Sequence, residues 1–253
     1  MANADQNANV IAVIPARYES SRFPGKPLAG IAGKPMIQHV YERVRQARRV
    51  SKVLVATDDE RILQAVKEFG GEAVPTRRDH RTGTERIAEV ALHHPAAIYV
   101  NVQGDEPLID PRTIEGLIEA MQSEAVDVAT ACAAITDPAE IIDVNINKVV
   151  MDFDGNALYF SHAPIPWVRD SKAPVAAHHW KHVGIYGYRR EALLEYPTMP
   201  PGELERLEQL EQLRWLENGY RIRVVETEYN PVSVDVPADV ARVEGLLKAR
   251  AAS

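Results

Sequence analysis

Apolar and polar positions alternate along this chain in blocks, with short runs of strand type separated by stretches of helical spacing. The apolar run that opens at Val10 ends in a loop at Arg17. Residues 35–49 then carry Ile37, Val40, Tyr41 and Val44 at helical spacing, and 51–57 form a short buried run. Residues 60–71 predict a helix that Asp58 or Asp59 caps and Gly70 or Gly71 ends. A helix over 84–94, a strand over 97–102 and a helix opening at Pro111 follow. Strands alternating with helices predict a mostly parallel sheet covered by helices, an α/β fold.

The rhythm changes near Val149. Two β-prone runs flank Asp154-Gly155 and predict a hairpin, and 180–189 is again β-rich. The reading is an antiparallel appendage over about 150–190, built to contact a second copy through apolar Phe153, Tyr159, Phe160, Ile165 and Trp167. Further on, 203–219 read as one continuous helix with Leu204, Leu207 and Trp215 facing the core. Glu211 falls on that same stripe, where a carboxylate needs a partner such as Arg214 or a ligand hydroxyl; the alternative puts it on the wet edge of a wider stripe.

At 253 residues the chain suits one domain, over 10–253, preceded by a polar tail over 1–9 expected to be frayed and disordered. The formal net charge of −7 speaks against a nucleic-acid partner. Cys132 is the single cysteine and sits in an apolar run, which excludes a disulfide framework and points to a cytoplasmic protein. No apolar stretch is long enough to insert in a membrane.

Local cations therefore serve a small anion. The loop after the first strand gathers Arg17, Arg22, Lys26 and Lys34 among Gly25, Gly30 and Gly33, with Pro35 where a helical turn begins. Such a loop can cradle a triphosphate, or be an ordinary basic surface loop; it carries neither the P-loop nor the dinucleotide glycine pattern. Ligands of parallel sheets bind beyond the carboxyl ends of the strands. Asp105, just past 97–102, is placed to hold a divalent cation there, although Gly104-Asp105 before Pro107 is also turn chemistry. Asp235, ahead of a helix near Pro237, reads equally as a metal ligand or as a helix cap. The stretch 76–86 offers Arg77, Arg78, Arg81 and the Thr82-Gly83-Thr84 backbone to a base, ribose or phosphate, or else is a solvated loop with Thr84 as an N-cap. Zinc spacing and nucleophile motifs are absent.

Together, PARYESSRFPGKPL, TDDERI, TRRDHRTGTER, NVQGDEPLI, ALYFSHAPIPWVRD, HVGIYGYR, LEQLR and VDVPADV resemble the 3-deoxy-manno-octulosonate cytidylyltransferase family from about Val10 to Val243. The resemblance implies a Rossmann-like nucleotidyltransferase fold of the nucleotide-diphospho-sugar transferase type and a homodimer. It also implies magnesium-dependent use of CTP to activate an acidic eight-carbon sugar for lipopolysaccharide synthesis. It implies that Pro15, Ala16, Arg17, Lys26, Arg77, Thr82, Gly83, Gln103 and Asp105 bind the nucleotide, with Arg17, Lys26, Asp105 and Asp235 catalytic. Asp105 and Asp235 would be the magnesium ligands. Gln103, Arg169, His182, Tyr186, Glu211 and Gln212 would bind the sugar. Two positions depart from the family pattern: His162 stands where an arginine is expected, and Ser233 where a glycine is. A sialic-acid cytidylyltransferase, a metal-dependent glycosyltransferase and a non-catalytic nucleotide-binding protein are the competing readings, as is preference for an amino-substituted octulosonate.

Overall fold

A computed structural model describes residues 9–20, 22–169 and 178–251. The chain runs β1 (Val10–Ala16), a small ribbon of β2 (Gly30–Ile31) and β3 (Lys34–Pro35), α1 (Met36–Val44), β4 (Lys52–Thr57), α2 (Glu60–Glu68), β5 (Ala73–Pro75), α3 (Gly83–His93), β6 (Ile98–Asn101) and α4 (Pro111–Ala120). It continues through β7 (Val128–Ala134), α5 (Pro138–Ile142), β8 (Lys148–Met151), β9 (Ala157–Ser161), β10 (Trp180–Arg189), α6 (Arg190–Glu195), α7 (Glu203–Glu208), α8 (Leu213–Glu217), β11 (Ile222–Glu226) and α9 (Ala238–Ala251).

The main sheet has the order β11-β7-β10-β6-β1-β4-β5. Pairs β6-β1, β1-β4, β4-β5 and β11-β7 are parallel, as the alternating pattern predicts. Both faces of β1 are covered: Val10, Ala12 and Ile14 pack with α1 and α4 residues such as Ile37, Val40 and Leu117, while Ile11 and Val13 pack with Ile87 and Val90 of α3. A strand buried on both sides reads as an unbroken apolar run, which is why VIAVI shows no period of two. Asp59 caps α2 by accepting from the Arg61 N–H, and Asp110 caps α4 in the same way.

Five details differ from the sequence reading. Asn9, expected in the tail, is held instead: its carbonyl accepts from the N–H groups of Ala97 and Ile98, while residues 1–8 lie outside the described residues. Pro35 precedes α1 rather than opening it. Thr82, not Thr84, caps α3, accepting from the Glu85 N–H at 3.1 Å.

The β-rich segment is the fourth correction. Its first half is the expected hairpin: β8 and β9 pair antiparallel, and Asp152 Oδ1 accepts from the N–H groups of Asp154 and Asn156 to close the turn. β10, however, is no appendage. It lies in the middle of the sheet, antiparallel to both β6 and β7. Phe160 is fully buried, whereas Phe153, Leu158 and Trp167 are exposed.

The last correction is the helix over 203–219, which breaks into α7 and α8 at Gln209, a non-glycine residue with φ +55°. Leu204 and Leu207 face solvent, while Leu210, Leu213 and Trp215 enter the core. Arg214 reaches back to Glu205 with two bonds of 2.8 and 2.6 Å and pins the two short helices together.

Candidate functional site

The loops beyond the carboxyl ends of β1 and β6 meet at Gly104, where any Cβ would stand 3.0 Å from the Pro15 carbonyl oxygen; the close approach needs glycine. Gly25, with φ +73°, turns the basic loop back so that its N–H reaches the Tyr18 carbonyl at 2.8 Å. Between these loops lies a cavity of about 250 Å³ lined by Pro15, Ala16, Arg17, Lys26, Gly83, Arg86, Gln103 and Asp105, among others.

Charge dominates this cavity. The Lys26 Nζ donates to Asp105 Oδ2 at 2.6 Å and stands 3.8 Å from Asp235 Oδ1, while the exposed Arg22 reaches the same Asp235 oxygen at 3.0 Å. Asp235 is thus not the cap of α9. Asp239, inside the first turn of α9, instead accepts from the N–H groups of Asp235 and Val236 just before the helix and fixes the approach, and the Asp235 carboxylate faces Asp105 across the lysine. The Asp105 carbonyl accepts from Val234 N–H at 3.0 Å, which fastens the two acidic loops together. Two carboxylates converging on one cation are hard oxygen donors suited to magnesium, which is commonly held by one or two carboxylates plus phosphate oxygens. Among the described residues no group of three or more histidine, cysteine, aspartate or glutamate side chains can hold a metal, so such a site needs ligands from elsewhere.

Arg17 donates to the His80 carbonyl and ties the 76–82 loop to the basic loop. Beneath them Arg86 is completely buried, 3.1 Å from Asp58 Oδ1 and hydrogen-bonded to Thr76. Burial pulls its pKa down, with Asp58 opposing. Sequence reading passed Arg86 by. The signal was there: it lies four residues before Val90 on the apolar face of α3, the same anomaly that singled out Glu211.

A second cavity, about 490 Å³, shares Gly83 and Gln103 with the first. His182, Tyr186, Glu211, Gln212 and Ser233 line it, together with Glu106, Glu140 and Lys181, which the sequence did not single out. Its aromatic side is neutral. Burial drives the His182 pKa to about 3, and its Nε2 meets the Thr130 hydroxyl at 2.9 Å with the Phe160 ring edge-on at 5.1 Å. The Tyr186 hydroxyl donates to Gln212 Oε1 at 3.2 Å, while Gln212 Nε2 is buried with no hydrogen-bond partner, a donor left over for a ligand. Glu211 accepts from the Thr84 hydroxyl at 2.9 Å, not from Arg214 as expected; desolvation raises its pKa, and the Thr84 and Thr82 hydroxyls oppose the rise. Glu106 accepts from Tyr229 Oη at 2.6 Å, and burial lifts its pKa to about 7, with the Asp105 charge adding to the lift.

Four expected residues line neither cavity: Asp235, which meets the first through Lys26, and three that stand apart. Arg169 is exposed and lines neither cavity. Arg77 is exposed and lies 3.6 Å from Asp79 and 3.9 Å from Glu89, lining a separate cleft beside His93 and Leu194. Thr82 also lines neither cavity, its hydroxyl serving α3 as cap. His162, at the departure from the family pattern, has its Nδ1 on the Val144 carbonyl at 2.5 Å.

A family model described as cytidylyltransferase matches residues 11–222. Proteins named 3-deoxy-manno-octulosonate cytidylyltransferase are among the similar ones: that of Solibacter usitatus (strain Ellin6076) is 54% identical over 95% of both chains, and that of Geobacter sulfurreducens 53% identical over 95% of this chain and all of its own. Among solved structures, CMP:2-keto-3-deoxy-manno-octonic acid synthetase complexed with CTP superposes with a TM-score of 0.91 at 48% identity, covering 96% of this chain and 100% of the other. The 4-diphosphocytidyl-2C-methyl-D-erythritol synthase of Anaerococcus prevotii DSM 20548 shares the fold at 11% identity, TM-score 0.63, covering 96% and 100%.

Proposed function

The chain belongs to the cytidylyltransferase family and within it to the 3-deoxy-manno-octulosonate cytidylyltransferases, and from that premise we propose that it converts CTP and 3-deoxy-D-manno-octulosonate to the CMP-sugar and diphosphate. The observation that carries the reading is the pair of joined cavities, one lined by Arg17, Lys26 and Asp105 and one by a neutral aromatic side with a Lys181–Glu140 ion pair beside it, meeting at Gly83 and Gln103.

In this reading CTP lies in the charged cavity along Pro15, Ala16 and Gly83, and Arg17 and Lys26 neutralise the departing diphosphate. Asp105 and Asp235 would hold magnesium, which supplies charge neutralisation at the α-phosphate and lowers the pKa of the attacking hydroxyl. The sugar occupies the larger cavity. Gln212 Nε2, short of a partner, donates to it, Glu211 accepts from its hydroxyls, and His182 and Tyr186 shape the wall. The anomeric hydroxyl then attacks the α-phosphorus in line, the P–O bond to diphosphate breaks, and no covalent enzyme intermediate forms. Such a transfer depends on positioning and on preorganised charge, which residues mounted on strand ends and short helices supply.

The reading extends to a cytoplasmic homodimer that feeds lipopolysaccharide synthesis. Supporting the homodimer is an exposed apolar set: Phe153, Leu158 and Trp167, with Ile142, Val144 and Leu207. No helix of the described residues is long and apolar enough to cross a membrane. The test is diphosphate release from CTP with a panel of acidic sugars, with and without magnesium. The eight-carbon acid should turn over fastest and only with the metal; a nine-carbon sialic acid turning over faster would overturn the assignment.

A further inference from the structure

Lys26 has two tasks that exclude one another. The proposed chemistry needs its ammonium on the nucleotide phosphates, yet the structure has it on Asp105 and Asp235, the two carboxylates that would hold magnesium. It is well placed there. Its side chain is 16% exposed against 29% for Asp105 and 41% for Asp235, and the 2.6 Å bond to Asp105 is of charge-assisted length. Arg22, the other cation on Asp235, is 67% exposed, so solvent screens it far more.

We propose that the Lys26 ammonium stands in for the divalent cation in the free protein, and that the nucleotide opens the metal site by drawing Lys26 away. This rests on the reading of Asp105 and Asp235 as the metal ligands. Two observations combine. An ammonium and a divalent cation cannot share the same carboxylate oxygen without repelling each other strongly in a partly desolvated place. Moreover, the protein offers no third acidic, histidine or cysteine ligand beside the pair among its described residues, so phosphate oxygens must complete the shell. A triphosphate does both things at once: it brings oxygens for the metal and a stronger counter-charge for the lysine. Metal and nucleotide binding are then coupled through one side chain, and by reciprocity each tightens the other. The device also keeps two converging carboxylates neutralised while the site is empty of nucleotide, where an unpaired pair would be costly.

The probe is Mn2+ alone, without nucleotide, followed by the loss of its free-ion electron paramagnetic resonance signal. Wild type should bind it weakly. Lys26→Met should bind one Mn2+ about tenfold tighter or more, the scale set by removing a single part-buried charge pair. Lys26→Arg, which keeps the charge, should stay close to wild type, and Arg22→Met should move the affinity far less than Lys26→Met. A second readout needs no metal-loaded turnover: the melting temperature of Lys26→Met should be below wild type in chelator and rise more than wild type on adding Mg2+. If Lys26→Met is unstable, Lys26→Gln takes its place. A folded Lys26 variant that binds Mn2+ no tighter than wild type overturns the exchange. The metal assignment fails separately: tight Mn2+ binding by Lys26→Met that survives the added Asp105→Asn change would place the cation elsewhere.

Discussion

The two cavities are neighbours with different electrostatic designs. The one at the ends of β1 and β6 is built from ions, with Lys26 between Asp105 and Asp235, Arg17 on the His80 carbonyl and Arg86 on Asp58. The other, on β10 and the break between α7 and α8, sets a histidine kept neutral, a tyrosine, a glutamine and a carboxyl whose pKa desolvation raises beside one Lys181–Glu140 ion pair of 2.7 Å. A polyphosphate carries charge that changes during the reaction, so its site needs cations able to shift partners. A sugar presents hydroxyls at fixed spacing, and fixed neutral donors and acceptors bind those with little rearrangement. On the proposed function, the ionic site takes Arg17 and Asp105 from the segments past β1 and β6 and Arg86 from α3, and the other site sits on a central strand and two helices that Arg214 and Glu205 lock together.

The largest effect should come from the ionic side. Asp105→Asn keeps the shape and removes a charge, so kcat should fall by at least about a hundredfold, the scale of losing one preorganised electrostatic contact. Near-normal turnover at saturating magnesium would break the contrast, since the charged cavity would then not depend on its charges. On the neutral side Glu211→Ala should raise the apparent KM for the sugar about ten- to thirtyfold, as for a hydrogen bond to a carboxyl group, while that for CTP stays within about twofold. The reverse pattern would assign α8 and its entry to the nucleotide.

A third effect is on stability. The folded His182 pKa of about 3 lies far below its ordinary 6.5, so the unfolded chain takes up the proton first. Its contribution is present above pH 6.5 and is lost as the pH falls toward 3. Between pH 6.5 and 4.5 the loss should be about 2 kcal/mol. Urea unfolding of wild type and His182→Gln should therefore show a stability difference that shrinks on acidification; a gap independent of pH would mean that this wall is not held neutral by burial. The smallest effect on the chemistry should follow from the paired change Phe153→Glu with Trp167→Glu, which both cavities exclude from their linings. Light scattering should return a mass near 28.1 kDa in place of twice that for wild type, with KM values nearly unchanged. A wild type that is already monomeric at micromolar concentration would reject the assembly outright.

Much of the ionic site was legible because charge on a strand-to-helix loop is a local pattern. Asp105 follows an apolar strand, and Lys26 follows glycine and proline, so the residues announce their place in loops at a strand's end. The neutral site was legible only through resemblance and through one anomaly, Glu211. Even there the reason was wrong: the stripe of Leu204 and Leu207 does not exist, because the helix breaks at Gln209. Nothing in ELERLEQLEQLR signals a break, for every residue is a fair helix former and neither glycine nor proline interrupts it. Packing of Leu210 and Leu213 into the core imposes the left-handed turn, and Gln209 Nε2 closes the helix end on the Arg206 carbonyl at 2.7 Å.

By itself the sequence determined the alternation of strands and helices, the cap at Asp59, the helix opening at Pro111, the hairpin at Asp152–Asn156 and the loops that gather cations, all set by interactions within a few residues. Only the tertiary structure decided that β10 runs through the middle of the sheet, that Arg86 lies buried beneath the basic loop and that Lys26 stands between two carboxylates. It also left Arg169 and Arg77 outside both cavities. Strand order, burial and the pairing of charges 79 residues apart, as for Lys26 and Asp105, depend on which surfaces exclude water together. No local pattern carries that, since the apolar faces of every strand look alike until a neighbour covers them.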